Sequence, residues 1–317
     1  ECDWSSDVCS SDLNLKKVGL TALAGALASV SVNAADLSVT GSASINLYQE
    51  EGKDSANGWT MGDVISFSAS QELDNGMTVT VNHALDDGVI DDRSVTVDGV
   101  MGGTFTFHGK DGSSVLGSKD DTTPTAGEEA WGDVTGATAA LGGASNNDMF
   151  HYSNSSLVEG LTLAAAYVPS ELATEEESSF DYGAEYTTDG GITVGVAMGE
   201  NNADADASVD TTIVYGNMVV ADSFTIGFTN SEADSETANS DVDFQAYGVS
   251  YAMSEEMSVS INSSSHDYEL ATLQDQDAFG VSISYVMGSM TFTANHNTVD
   301  NIAGTGSDDR SGYNLNL

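Results

Sequence analysis

The chain is poor in positive charge. Seven lysines and arginines stand against 50 aspartates and glutamates, a formal net charge of -43 over 317 residues. Nucleic acid is excluded as a natural partner, because phosphate binding needs clustered Lys and Arg. The imbalance favours cationic partners, divalent ions or a salty milieu. Proline is almost missing, with only Pro124 and Pro169, and cysteine is confined to Cys2 and Cys9. No amphipathic helix of useful length can be read from the periodicity.

Catalytic signatures are missing as well. There is no HExxH or paired-histidine spacing for zinc, no GxSxG elbow and no EF-hand loop. His83, His108, His151, His266 and His296 stand singly and read as strand-end or rim residues, although His108 and His151 bracket the longest connection. The sequence therefore predicts no enzyme, no catalytic residue and no resident cofactor. Acidic stretches such as 86–88 and 201–206 are candidates only for weak Ca2+ or Mg2+ binding.

What is present is alternation. Apolar residues make up 40% of the chain and 33 glycines are scattered through it. Val, Thr, Ser, Phe and Tyr recur with period two, which is the signature of an antiparallel sheet.

The N-terminal region is read separately. Lys16 and Lys17 precede a small, uncharged apolar run at 18–32, and Val32-Asn33-Ala34 offers small residues for cleavage. Residues 14–34 are a predicted signal peptide cut near Ala34. The run is too short to span a bilayer, which takes about 20 apolar residues. Cleavage removes both cysteines, so an oxidising compartment is no obstacle to the mature chain. Residues 1–13 precede the basic n-region with an acidic stretch that does not belong there. Asp3 to Leu13 back-translates into a common sequencing-library adapter, so 1–13 is read as an assembly artefact.

Sixteen strand-like segments follow: 37–48, 64–73, 77–85, 93–99, 103–109, 149–154, 161–168, 180–187, 192–199, 209–216, 224–230, 241–253, 257–265, 277–287, 290–296 and 312–317. Seven connections between them are short. Eight are longer and mostly acidic or rich in Gly, Asn and Ser: 49–63, 86–92, 110–148, 169–179, 200–208, 231–240, 266–276 and 297–311. A soluble sandwich has no reason to alternate short turns with long loops, whereas a membrane-spanning barrel has two unlike rims.

The two faces of each strand agree. Phe279, Val281, Ile283, Tyr285 and Met287 alternate with Gly280, Ser282 and Ser284. The polar set is too small to fill a core. Sixteen strands enclose a lumen too wide for side chains to fill, so the polar face lines water and the apolar face meets lipid. Tyr48, Tyr167, Tyr186, Tyr215, Tyr251 and Phe279 are expected to flank the apolar band. Closure would satisfy the backbone amides that hydrocarbon cannot. The predicted fold is an all-β transmembrane antiparallel barrel of about 16 strands, with short periplasmic turns and long external loops.

The runs at 58–81 and 93–113 and the repeated hairpins resemble Gram-negative outer-membrane general diffusion porins, most closely the alphaproteobacterial type, over essentially all of 35–317. That resemblance implies a homotrimer in outer-membrane lipid that passes ions and small hydrophilic solutes. It also implies that the third long connection, 110–148, folds into the lumen as a constriction loop. Porins of this kind usually end on an aromatic residue, and the six residues of 312–317 are short for a spanning strand. A C-terminal strand truncated by a few residues, with imperfect closure against the first strand, is therefore expected.

The loop carries Asp111, Asp120, Asp121, Glu128, Glu129 and Asp133 against Lys110 and Lys119. If these acids line the opening, their field concentrates cations. Arg93, opening a strand just before the loop, is the candidate wall cation. The functional expectation is a cation-selective channel. The alternative is a surface-binding or adhesive β protein that uses its acidic loops and has no channel activity.

Overall fold

The computed structural model describes residues 36–52, 57–119, 121–139, 141, 147–170, 177–202, 208–221 and 223–317. The segments expected as artefact and signal peptide lie outside the described residues, as does Asp120.

Sixteen strands run in chain order: β1 (Asp36–Glu50), β2 (Trp59–Glu72), β3 (Thr78–Asp86), β4 (Val89–Val100), β5 (Gly103–Lys110), β6 (Met149–Val158), β7 (Leu161–Val168), β8 (Ser179–Thr187), β9 (Ile192–Asn201), β10 (Val209–Val220), β11 (Phe224–Ser235), β12 (Val242–Ala252), β13 (Met257–Tyr268), β14 (Gln276–Met287), β15 (Met290–Asp300) and β16 (Arg310–Asn316). Each pairs antiparallel with its neighbours in sequence, and β16 returns to β1 to close one barrel. Among the described residues the only helical element is a 3-10 turn, Ile302–Gly304.

Closure is uneven. β1 pairs with β2 over twelve residues, from Asp36 to Leu47. It pairs with β16 over five, from Asn46 to Glu50, with Ile45 and Leu317 bonded backbone to backbone just beyond. The short last strand expected from sequence therefore closes the barrel at the loop-side end.

One connection departs from the expected alternation of lengths. The stretch 86–92 is not a long loop. β4 begins at Val89, and Asp87 and Gly88 alone make the turn. Both hold positive φ, 48° and 76°, as a two-residue type I′ hairpin turn requires. A bulge between His83 and Leu85 absorbs the mismatch that hid the strand from a strict period-two reading.

The two faces divide as the sequence predicts. Phe279, Val281, Tyr285 and Met287 are exposed on the outside, whereas Gly280 and Ser282 are buried on the inside. Such an outer face is stable only in lipid, because water would meet a continuous apolar band. Tyr167, Tyr186 and Phe279 sit on this outer face. Tyr48 and Tyr215 do not, which corrects the expectation for them. Tyr48 shares the phase of Glu50 and bonds to it and to Thr135. Tyr215 is 2% exposed and faces inward against Glu185. A phenol can occupy either phase when its hydroxyl finds a partner.

Candidate functional site

The segment between β5 and β6 folds into the barrel and lies along the inner wall from β7 round to β1. Side chains supplied by many strands hold it there. At its start, Val115 and Leu116 insert among Met149, Ala166, Ala197, Ile213 and Tyr215. The Asp181 carboxylate, 1% exposed, accepts the backbone N–H groups of Val115 and Leu116 at 3.0 and 3.2 Å. Burying that charge is tolerable because two donors satisfy it, and hydrogen bonds to charged groups contribute about 1.5–3 kcal/mol each.

The middle of the loop is held by small polar groups. Asn217 donates to the Thr122 carbonyl at 3.0 Å, Ser260 accepts from Ala126 N–H at 2.8 Å, and Asn295 accepts from Glu128 N–H at 3.2 Å. Asn297 is fully buried and donates to the carbonyls of Glu129 and Gly132 at 2.8 and 2.7 Å. Further on, Trp131 meets Phe244 edge-on with centroids 5.3 Å apart. Gln276 and Thr138 exchange a reciprocal pair of bonds at 2.8 and 3.0 Å. Glu50 accepts both the N–H and hydroxyl of Thr135, and Arg310 pairs with Glu50 while donating to the Thr135 carbonyl.

The wall is shaped to receive the loop. A Cβ at Gly248 would lie 2.5 Å from the Pro124 carbonyl oxygen, and one at Gly312 would collide with the Asp133 carbonyl. Larger residues at these two positions would push the loop off the wall.

The six predicted acids are not equivalent. Asp111, Asp121 and Glu128 are exposed. Glu129 is buried at 7% exposure, and its pKa is pushed up to about 8, first by burial, then by its hydrogen bond with Glu128 and the charge of Asp121. It therefore holds a proton at neutral pH. Asp133 is half-buried and bonded by Asn314 at 2.9 Å and Asn295 at 3.4 Å. Burial raises its pKa, and the two amides pull it back. Asp133 is thus a fastening point of the loop.

The loop's bases are occupied. Lys119 forms an ion pair with Glu185 at 3.0 Å and lies over the Tyr215 ring. Lys110 donates to the Ile90 carbonyl. Arg93 does not face the loop. It takes the phase of exposed Val95, is itself exposed, and donates to the Gly109 carbonyl at 3.2 Å. Arg93 pairs with His83, which in turn pairs with exposed Phe67, so it shares the outer face even though the register shifts beside it. The arginine that touches the loop is Arg310.

Opposite the loop, the inner phase of β2 to β5 carries Ser66, Ser68, Ser70, Thr80, Asn82, Ser94, Thr96 and Thr106. Several of these hydroxyls bond across strands, Ser70 to Thr80 and Thr96 to Thr106, each at 3.1 Å. The opening therefore has the loop carboxylates on one side and, on the other, a wall of hydroxyl and amide groups that also carries Asp92 and His108.

Sequence reasoning missed the anchoring set of Asp181, Asn217, Asn297, Gln276 and Glu50. It also missed the small residues Ala166, Ala197, Ala246 and Ala278 on which the loop sits. One signal was available: alanine and glycine interrupt the inner polar phase more often from β7 onward than before it, where Gly62 and Ala84 are examples.

The comparisons agree with this architecture. A family model described as Gram-negative porin matches residues 19–317. Similar solved structures include OmpT, an outer membrane protein of Vibrio cholerae, at 14% identity and a TM-score of 0.64, covering 90% of this chain and 98% of that one. A mutant of the Rh. blastica porin is similar at 14% identity and a TM-score of 0.61, covering 89% and 98%. No curated protein sequence matches the chain.

Proposed function

The chain belongs to the Gram-negative porin family, whose members are outer-membrane channels rather than enzymes, and from that premise we propose that its pore prefers cations to anions. The observation that carries this reading is the charge arrangement at the inward loop. Asp121 and Glu128 are exposed there, while Lys119 is neutralised by Glu185 and Arg310 by Glu50 and Asp308. Exposed carboxylates between low-dielectric walls concentrate counter-ions and repel co-ions. The wall opposite, lined by hydroxyls and amides with Asp92 among them, supplies no compensating positive field. Small hydrophilic solutes pass by diffusion, hydrogen-bonding to that wall in place of water.

The mature protein starts after cleavage near Ala34 and assembles as a homotrimer in the outer membrane; the family membership supports both. Reversal potentials under a KCl gradient across a planar bilayer test the selectivity. A potential of the sign for cation preference is expected, and anion preference overturns the reading. The adhesive alternative predicts no conductance at all.

A further inference from the structure

Two histidines that the sequence leaves isolated meet inside the barrel. His108 on β5 and His151 on β6 have ring centroids 6.4 Å apart. Both take the inner phase. His108 pairs with buried Ser94 and Met149, and His151 pairs with buried Thr106 and Ala166. They are diagonal neighbours across the β5–β6 ladder, within reach of each other for long side chains.

The Nδ1 of His108 is buried without a hydrogen-bond partner, and so is the Oδ1 of Asp92. Asp92 lies on the inner phase of β4, near enough for its charge to act on His108. Gly112, at the root of the loop, closes over the His108 ring, where a Cβ would collide with it. The other described histidines offer no comparable pair. His266 is bonded to Ala139 and Gln276, and His83 and His296 share the outer phase of Phe67 and Phe279.

We propose that His108 and His151 form a two-imidazole site for a borderline divalent transition metal such as Cu2+, Ni2+ or Zn2+, at the base of the inward loop. Metal–imidazole bonds of about 2.0–2.1 Å put two ring centroids about 4.5 Å apart at a right-angled N–metal–N arrangement, about 5.2 Å apart at a tetrahedral one and about 6.4 Å apart at a trans one. The observed separation matches the trans arrangement of a tetragonal ion, and a tetrahedral ion would draw the rings about 1 Å closer. Imidazole selects these ions over Ca2+ and Mg2+, which take oxygen ligands. Among the described residues no three ligand-type side chains form a metal cage, so water completes the coordination. Asp92 supplies a compensating charge beside the site. The acidic lumen raises the local concentration of any divalent ion, and the two nitrogens provide the discrimination that carboxylates lack.

The test is Cu2+ electron paramagnetic resonance on the folded barrel in detergent, with folding checked by heat-modified gel mobility. At a single equivalent of Cu2+ the spectrum is expected to show coupling to two imidazole nitrogens. H108Q and H151Q should each lose the two-nitrogen pattern, and H296Q should keep it. An oxygen-only spectrum in the unaltered protein, or a two-nitrogen pattern surviving in H108Q or H151Q, overturns the proposal. Should either variant fail to fold, the unaltered protein still decides. Zn2+ must protect His108 and His151, and not His296, from diethyl pyrocarbonate, read by mass spectrometry. Equal modification with and without Zn2+ overturns the site. Neither readout depends on conductance, so a failure here is distinct from a failure of the selectivity reading.

Discussion

Arg310 and Glu50, 260 positions apart, form an ion pair across the junction of the last and first strands. The Glu50 side chain is fully buried, and that of Arg310 is 15% exposed. The same carboxylate receives Tyr48 and Thr135, so one cluster closes the short ladder between the first and last strands and fastens the far part of the inward loop.

Arg310→Gln should therefore be costly. Removing one partner of a buried pair leaves an uncompensated charge, at about 3–5 kcal/mol. The barrel is expected to lose its heat-modified gel mobility at a lower temperature than the unaltered protein. The double variant Arg310→Met with Glu50→Gln should recover much of the loss, because it leaves no unpaired charge.

Asp181→Ala should free the start of the loop with much less effect on the barrel. Two backbone donors lose a charged acceptor, a loss of about 3 kcal/mol in anchoring, while the strand ladders on both sides of β8 stay intact. Single-channel traces are expected to become noisier, and liposome swelling should admit larger sugars. An unchanged exclusion size would show that the other anchors suffice.

Glu129 is expected to make the channel pH-sensitive above neutrality. Its folded pKa of about 8 lies above the ordinary value of 4.5. Between those values the folded state keeps a proton that the unfolded state has shed, so this group's contribution to stability falls as pH rises through the window and levels off above about 8. Ionisation also adds a negative charge beside Glu128. Cation preference in bilayers is expected to increase from pH 7 to pH 9 in the unaltered protein and to stay flat over that range in Glu129→Gln.

Glu128→Gln and Asp121→Asn should each lower cation preference, and together more than either alone, without altering the barrel. The measurement is the reversal potential at fixed KCl gradient. Asp133→Asn is the contrast. That carboxylate is held by Asn295 and Asn314, so its loss should loosen the loop more than it shifts selectivity.

Gly248→Val should displace the loop sterically. The added side chain meets the carbonyl oxygen of Pro124 at a distance no Cβ tolerates, and either strand or loop must move. An altered single-channel conductance with normal heat modifiability is the expected pair of results.

Strand number, antiparallel order and the apolar outer face could be read from the residues, and the inward loop was implied by the family resemblance. Period-two alternation is a local property of each strand, and closure follows from having sixteen of them in a row. The positions of particular side chains were less legible. The β4 start was missed because a bulge and an Asp-Gly turn broke the period. Arg93 was assigned to the wall from its place near the loop, although alternation turns it outward. The carboxylates of the loop look alike in sequence, yet Glu129 is buried and protonated, Asp133 is tied to two asparagines, and Glu128 is open.

Their differences depend on which wall residues lie behind the loop. Glu50, Asp181, Asn297 and Arg310 come from strands that meet it only once the barrel has closed. Sequence alone determined that this chain makes a barrel with a polar lumen and a long acidic connection between β5 and β6, because hydrophobic alternation and charge balance are carried by the residues themselves. Tertiary structure decided which acids face the opening, which bases are consumed and which histidines meet, because those depend on contacts across a lumen that no local pattern records.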